Sequence, residues 1–167
     1  MKTKTERLII TDFTIDMAEA VHLGSLDEAT RNFVPDEVFE TIDDARDTLE
    51  YLMSVYKSGE GPLVYPILLS GEYIGYVQAV PMDNGRWEIG YHINEKHRNQ
   101  GYATEAVTAF LPTIMSRVGI VDILGITLRA NKASQKVLEK CGFEKFFEGE
   151  DLYHGEMQDV VKLIYKI

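Results

Sequence analysis

The chain has 167 residues and a formal net charge of −10, with 17 basic against 27 acidic side chains. That length suits one domain over residues 1–167, and 45% hydrophobic residues with a mean hydropathy of −0.15 exclude a disordered chain. The negative charge argues against nucleic acid, whose phosphates it would repel.

The N-terminus alternates Lys and Thr ahead of Arg7 with no apolar leader region, and no apolar run reaches membrane-spanning length, so a cytoplasmic location with no membrane partner is expected. The single cysteine, Cys141, can form neither an intrachain disulfide nor a Cys-rich metal site, and no metal is expected.

In chain order, Arg7 to Phe13 alternates and predicts a first strand. Ile15 to Leu23 predicts a short helix stopped by Gly24, and Asn32-Phe33-Val34-Pro35 predicts a loop. Thr41 suits the N-cap of a helix reaching Tyr56, with Ile42, Ala45, Leu49, Leu52, Met53 and Tyr56 at helical spacing. After a break at Gly59 to Pro62, Tyr65–Leu69 and Tyr73–Val80 predict a hairpin around Ser70-Gly71. Arg86–Ile93 pairs back across Asp83-Asn84-Gly85.

A helix opening at Gly101 places Ala103, Ala106, Val107, Phe110 and Ile114 on one face. Pro112 predicts a kink or early end, because proline deletes a helical hydrogen bond at about 3 kcal/mol. Asp122–Leu128 follows as a strand that can lie parallel to Arg86–Ile93, the helix serving as crossover. Asn131 caps a further helix that Gly142 ends. Phe143–Phe147 and Val160–Tyr165 complete the strands.

Charge is unevenly placed. From Asp27 to Glu50 there are nine acidic residues against Arg31 and Arg46. Two readings stand: a solvated face that keeps the protein soluble, or a field that attracts a cationic substrate.

The run Arg98-Asn99-Gln100-Gly101-Tyr102-Ala103-Thr104 closes a strand and opens a helix. A helix start carries unpaired N–H groups and partial positive charge, and Gly101 admits close approach, so the run reads as an anion-binding turn. Lys96, His97 and Arg98 add positive charge on an acidic chain. Neither the P-loop spacing nor G-x-G-x-x-G is present.

The Arg-x-x-Gly-x-Ala pattern is similar to the acyl-CoA pyrophosphate loop of the GCN5-related N-acetyltransferase (GNAT) superfamily. Roughly thirty residues downstream, Asn131-Lys132-Ala133-Ser134, running on to Cys141-Gly142-Phe143, resembles that family's second CoA-contacting segment. Thr5-Glu6-Arg7-Leu8-Ile9-Ile10 and Glu72-Tyr73-Ile74-Gly75-Tyr76 look like the branch of ribosomal-protein alanine and serine N-acetyltransferases. The resemblance implies an α/β (α+β) fold: a mixed, mostly antiparallel sheet of six to seven strands, splayed at two central parallel strands, with helices on both faces. It implies acetyl-CoA as co-substrate.

It also implies site roles. Backbone groups of Asn99, Gln100, Gly101, Tyr102, Ala103 and Thr104 hold the pyrophosphate, with Arg98 adding charge. Tyr91, His92 and Ile93 line the cofactor through their backbone at the splay, the side chains of Tyr91 and His92 being open to plain packing roles. Glu88 is the candidate base, with a solvated strand residue as the other reading. Glu88, Gly90 and His92 share one strand face. Many relatives carry a tyrosine acid where this chain has Leu138, which moves attention to Ser134, near the departing sulfur. Asn131 suits either a ligand contact or an ordinary N-cap.

The expected activity is acetyl transfer to a primary amine, foremost a protein or peptide N-terminal amine. A small cationic amine (polyamine or aminoglycoside) and an inactive acetyl-CoA sensor are the alternatives. Acceptor contacts are expected from Asp27–Glu40 and from a loop at Glu148–Gln158. A homodimer is compatible with the sequence, which does not fix the oligomeric state.

Overall fold

A computed structural model describes all 167 residues. Eight strands form one sheet: β1 (Lys2–Lys4), β2 (Leu8–Thr11), β3 (Leu63–Leu69), β4 (Glu72–Pro81), β5 (Trp87–Ile93), β6 (Asp122–Leu128), β7 (Glu144–Tyr153) and β8 (Glu156–Lys166). Their spatial order is β1-β2-β3-β4-β5-β6-β8-β7. Every neighbouring pair is antiparallel except β5 and β6, which run parallel and share a single registered pair, Glu88 with Leu124. Beyond that pair the two strands part, and the sheet has a gap at its centre.

Five helices cover the faces: α1 (Ala18–Gly24), α2 (Glu28–Phe33), α3 (Ile42–Val55), α4 (Tyr102–Val118) and α5 (Lys132–Lys140). Thr41 and Asp44 form a reciprocal capping box at the start of α3, as the Thr41 cap anticipated. The largest core cluster joins α4 and α5 to one face of the sheet through Phe110, Ile114, Met115, Leu138, Ile89 and Ile123. On the opposite face α1 and α3 bury Ala18, Val21, Ala45 and Leu49 against Val64, Tyr73 and Tyr76. A smaller cluster of Leu124, Ile126 and Val160 lies beyond the gap.

Four expectations need correction. The first strand is shorter, Leu8–Thr11, and pairs with an additional polar strand, Lys2–Lys4, that has no apolar periodicity to betray it. A helix, α2, occupies Glu28–Phe33, where Asp27 caps the free N–H of Thr30. Pro112 does not end α4, which runs six residues further; it sits on the exposed face together with Thr108, whose carbonyl it leaves without a helical donor, while Ile114 and Met115 are fully buried. Packing there outweighs the lost hydrogen bond. Finally, Glu148–Gln158 is no loop: most of it belongs to the β7–β8 hairpin, which turns at His154-Gly155. β7 is an edge strand whose charged residues resemble loop composition.

Candidate active site

The segment after β5 sets up the first wall of the site. Asn99 has φ 60° and Gly101 φ 83°, both left-handed, and Gly101 is the N-cap of α4 with no side chain capping it. The first backbone bond closing onto this start is Glu105 N–H to Gly101 O, and the N–H groups of residues 99 to 104 have no protein acceptor. Six successive free donors at a helix start make a cradle suited to an anion. A side chain at Gly101 would need a left-handed backbone, and its Cβ would come within 3.4 Å of the Arg7 guanidinium that braces this turn.

The cradle is braced by Arg7, the residue just ahead of β2. Arg7 donates to the Gln100 carbonyl (3.0 Å) and through Nε to Glu105 (2.7 Å), and its guanidinium lies 4.5 Å from the Tyr102 ring centroid. Gln100 thus contributes its carbonyl to structure. Arg98 is turned away from the cradle: Nε donates to the Ile93 carbonyl (2.7 Å) and Nη1 to Asp27 (2.9 Å). Asp27 also accepts from the Thr30 hydroxyl (2.6 Å), which lies 2.8 Å from His92 Nε2. Arg98, Asp27, Thr30 and His92 therefore tie α2 to the end of β5. Burial and the Arg98 charge push His92 down to about 4, so it is neutral at pH 7. Its ring stacks on Tyr76.

A cavity of about 650 Å³ opens between these walls. It is lined by Tyr91, His92 and Ile93 of β5, by Arg98, Asn99 and residues 101–104, and by Asn131, Ala133, Ser134, Lys136, Val137 and Lys140 along α5. α2 closes it with Ala29, Thr30, Phe33 and Val34. Of the residues assigned to the cofactor from sequence, only Gln100 is absent from this lining. Lys136 and Lys140, one helical turn apart, were missed, although their i, i+4 spacing beside Asn131 was readable. α2 could not be anticipated without its helix.

Asn131 Oδ1 accepts from the Ser134 N–H (3.2 Å), so Asn131 caps α5 and also borders the cavity. The Tyr91 hydroxyl lies 2.7 Å from Ser134 Oγ and 2.8 Å from the Ser134 carbonyl. Leu138, one turn on, is buried against Gly125.

Glu88 sits on the other face of β5 from Tyr91, as strand alternation requires. Glu88 is paired with Leu124 at the point where β5 and β6 part, whereas Ser134 lines the cavity beside Tyr91; Glu88 is not among the residues lining that cavity, and no hydrogen bond joins the two. Tyr153 of β7 donates to Glu88 Oε1 (3.1 Å), a contact the sequence did not signal. Burial, with the Glu37 charge adding to it, pushes Glu88 up to about 7. Glu37 lies in the turn Pro35–Glu37, accepts from Gln78 Nε2 (2.9 Å), and is itself raised to about 7 by burial. Glu37 therefore points inward, while Asp36 beside it is exposed, with His154 Nδ1 3.6 Å away. The acidic run divides: Asp27 and Glu37 are engaged by Arg98, Thr30 and Gln78, whereas Asp43, Asp44, Asp47 and Glu50 lie on the exposed side of α3.

The comparisons agree with this geometry. A family profile described as Acetyltransferase (GNAT) domain matches residues 7–144. An uncharacterized N-acetyltransferase of Bacillus subtilis (strain 168), YoaA, is 30% identical over 147 residues, covering 85% of this chain and 82% of the relative. The solved GNAT-family acetyltransferase of Bacillus anthracis superposes with a TM-score of 0.83 at 26% identity over 99% of this chain and 98% of its own. RimL, a ribosomal L7/L12 alpha-N-protein acetyltransferase solved in complex with coenzyme A, shares the fold with a TM-score of 0.85 at 18% identity, covering 100% and 98%. A profile that takes in the parted strands, the cradle and the whole of α5 leaves one conclusion: this chain belongs to the GNAT acetyltransferase family and is an N-acetyltransferase.

Proposed function

We propose that the cavity holds acetyl-CoA and that the acceptor is a primary amine, foremost the N-terminal amine of a protein or peptide. The observation that carries the donor assignment is the run of acceptor-less N–H groups at residues 99–104. With Lys136 and Lys140 on the adjoining wall, they suit a polyphosphate ligand. When bound, acetyl-CoA supplies the activated acyl group.

The protein's residues do the rest. Glu88 takes the proton that the amine nitrogen sheds as it bonds to the acyl carbon, and a carboxyl near 7 is matched to that work at neutral pH. Ser134 donates a hydrogen bond to the sulfur, which leaves with the C–S electron pair. The free edge of β5 beside the gap offers backbone groups to the ligand. Arg98 holds the end of β5 against α2, rather than touching the phosphates.

A second acceptor class, a small cationic amine such as a polyamine or aminoglycoside, is favoured by one observation. Glu37 and Glu88 are both largely enclosed, and neither has a Lys or Arg partner within ion-pair range. A site with two such carboxylates lacks a cation, and an incoming ammonium provides it.

The test is CoA release from acetyl-CoA across a panel of peptide N-termini, polyamines and aminoglycosides, alongside melting with CoA. Turnover with peptides supports the first reading and turnover with polyamines or aminoglycosides the second. Stabilisation by CoA with no release from any amine marks an acetyl-CoA sensor. No CoA response at all overturns the donor assignment.

A further inference from the structure

Leu138 occupies the position on α5 one turn after Ser134, with 1% of its surface exposed. A Cβ placed on Gly125 of β6 would come within 2.7 Å of its side chain, so this helix position faces the sheet and offers the cavity no hydroxyl. A hydroxyl from another element reaches Ser134 instead. Tyr91 rises from β5, where it is paired with Val77, and its Oη meets Ser134.

We infer that Tyr91 is a positioning residue that orients the Ser134 hydroxyl toward the leaving sulfur, forming a two-link donor chain from strand to helix to ligand. This rests on the reading that the cavity takes acetyl-CoA.

The chain has two settings. In one, Tyr91 donates to the Ser134 carbonyl and the Ser134 hydroxyl donates back to Tyr91. In the other, Tyr91 donates to Ser134 Oγ, and the Ser134 proton is free for a third group in the cavity that both residues line. The switch leaves no orphan, because the Ser134 carbonyl lies inside α5 and keeps the helical bond to the N–H four residues on. Negative charge gathering on sulfur selects the second setting. Burial holds the Tyr91 hydroxyl above its ordinary value, so it remains a neutral donor throughout. The electron pair of the C–S bond goes to sulfur, the two hydrogen bonds stabilise it there, and the thiolate takes its proton from water. Neither hydroxyl loses a proton in the balance.

Cys141, whose thiol acts on Tyr91 electrostatically, is also raised by burial. Arg98, Lys136 and Lys140 line the cavity as cations and His97 borders it; all are common to parent and variants.

The experiment titrates CoA, the free thiol, bound to the protein and follows thiolate ultraviolet absorption against pH. In the parent the bound thiol ionises at a lower pH than in Tyr91→Phe, by an amount corresponding to a five- to tenfold change in its ionisation constant, about the worth of one hydrogen bond. Ser134→Ala gives the same displacement, and the double variant adds little. Replacing Tyr91 by 3-fluorotyrosine, which strengthens the donor and keeps the shape, moves ionisation to lower pH still. This covers the case in which Tyr91→Phe fails to fold. For the transfer itself, kcat falls in Tyr91→Phe with the acceptor KM unchanged, and a thioester of a less basic thiol restores it. Identical thiol titrations in parent, Tyr91→Phe and the fluorotyrosine protein overturn the inference. Failure of the parent to bind CoA at all overturns the donor assignment instead.

Discussion

Glu88→Gln is expected to raise stability and lower activity together, with a pH dependence that identifies the cause. The carboxyl titrates at about 7 in the folded protein against 4.5 ordinarily. Between those values the native state holds a proton that the unfolded chain has lost, so stability falls as pH rises from below 4.5 to above 7. The gap, at about 1.4 kcal/mol for each pH unit, comes to roughly 3 kcal/mol of destabilisation once Glu88 is ionised. Glutamine keeps the shape and accepts the Tyr153 hydrogen bond without charge. At pH 8 the variant should therefore melt higher, by about 6 to 10 °C for a chain of this size, and at pH 4 the difference should vanish. In the same variant kcat/KM should drop on the order of tenfold to a thousandfold, with partial recovery as pH rises and free amine accumulates. Calorimetry at the two pH values and CoA-release kinetics check both halves. Equal melting of parent and variant at pH 8 would show a solvated carboxylate and refute the reasoning.

Gly101→Val should abolish the thermal stabilisation by CoA, which for the parent is about 2.7 kcal/mol at a hundredfold excess over Kd; an unchanged CoA response in a folded variant refutes the cradle. Glu37→Gln removes a charge that raises Glu88, so the rising limb of the pH–rate profile should move to lower pH, while KM for cationic acceptors rises more than kcat falls. A profile that stays in place separates the two carboxylates. Asp27→Ala strips the cap of α2 and leaves Arg98 without its partner. The loss should be about 2 kcal/mol, less than the 3–5 of a fully buried pair because 28% of the Arg98 side chain is exposed. Denaturant melts measure it.

Much of the cofactor side was legible because its chemistry is local. The cradle, the Asn131 cap and the α5 segment each lie within a few consecutive residues, and the Thr41 helix announced itself by cap and periodicity. The carboxylate cluster proposed to meet the acceptor was not, because it is assembled from segments far apart in the chain: Glu37 from a short turn, Gln78 from β4, Glu88 from β5 and Tyr153 from β7. A carboxylate turned inward has the same letter as one turned outward, so the run Asp27–Glu50 concealed Glu37 among solvated residues. Arg98 has a second role that its sequence neighbours do not reveal. Its position beside the cradle suggested a ligand contact, and it lines the cavity, but its guanidinium is also held by Asp27, 71 positions away. Pro112 shows the limit of propensity, outweighed by the buried side chains that follow it.

The single registered pair between β5 and β6 also has a mechanical consequence. Six antiparallel ladders stiffen the sheet everywhere except across its middle, where Glu88 and Leu124 act as a pivot between a five-strand plate and a three-strand plate. α4 joins the last strand of one plate to the first of the other, and so works as a strap opposing their separation. On the proposed function, a ligand wedged in the gap would substitute for the missing ladder and stiffen the pivot. The chain's resistance to opening is thus shared between its own backbone and whatever it carries, and amide exchange along both lips of the gap becomes a gauge of loading.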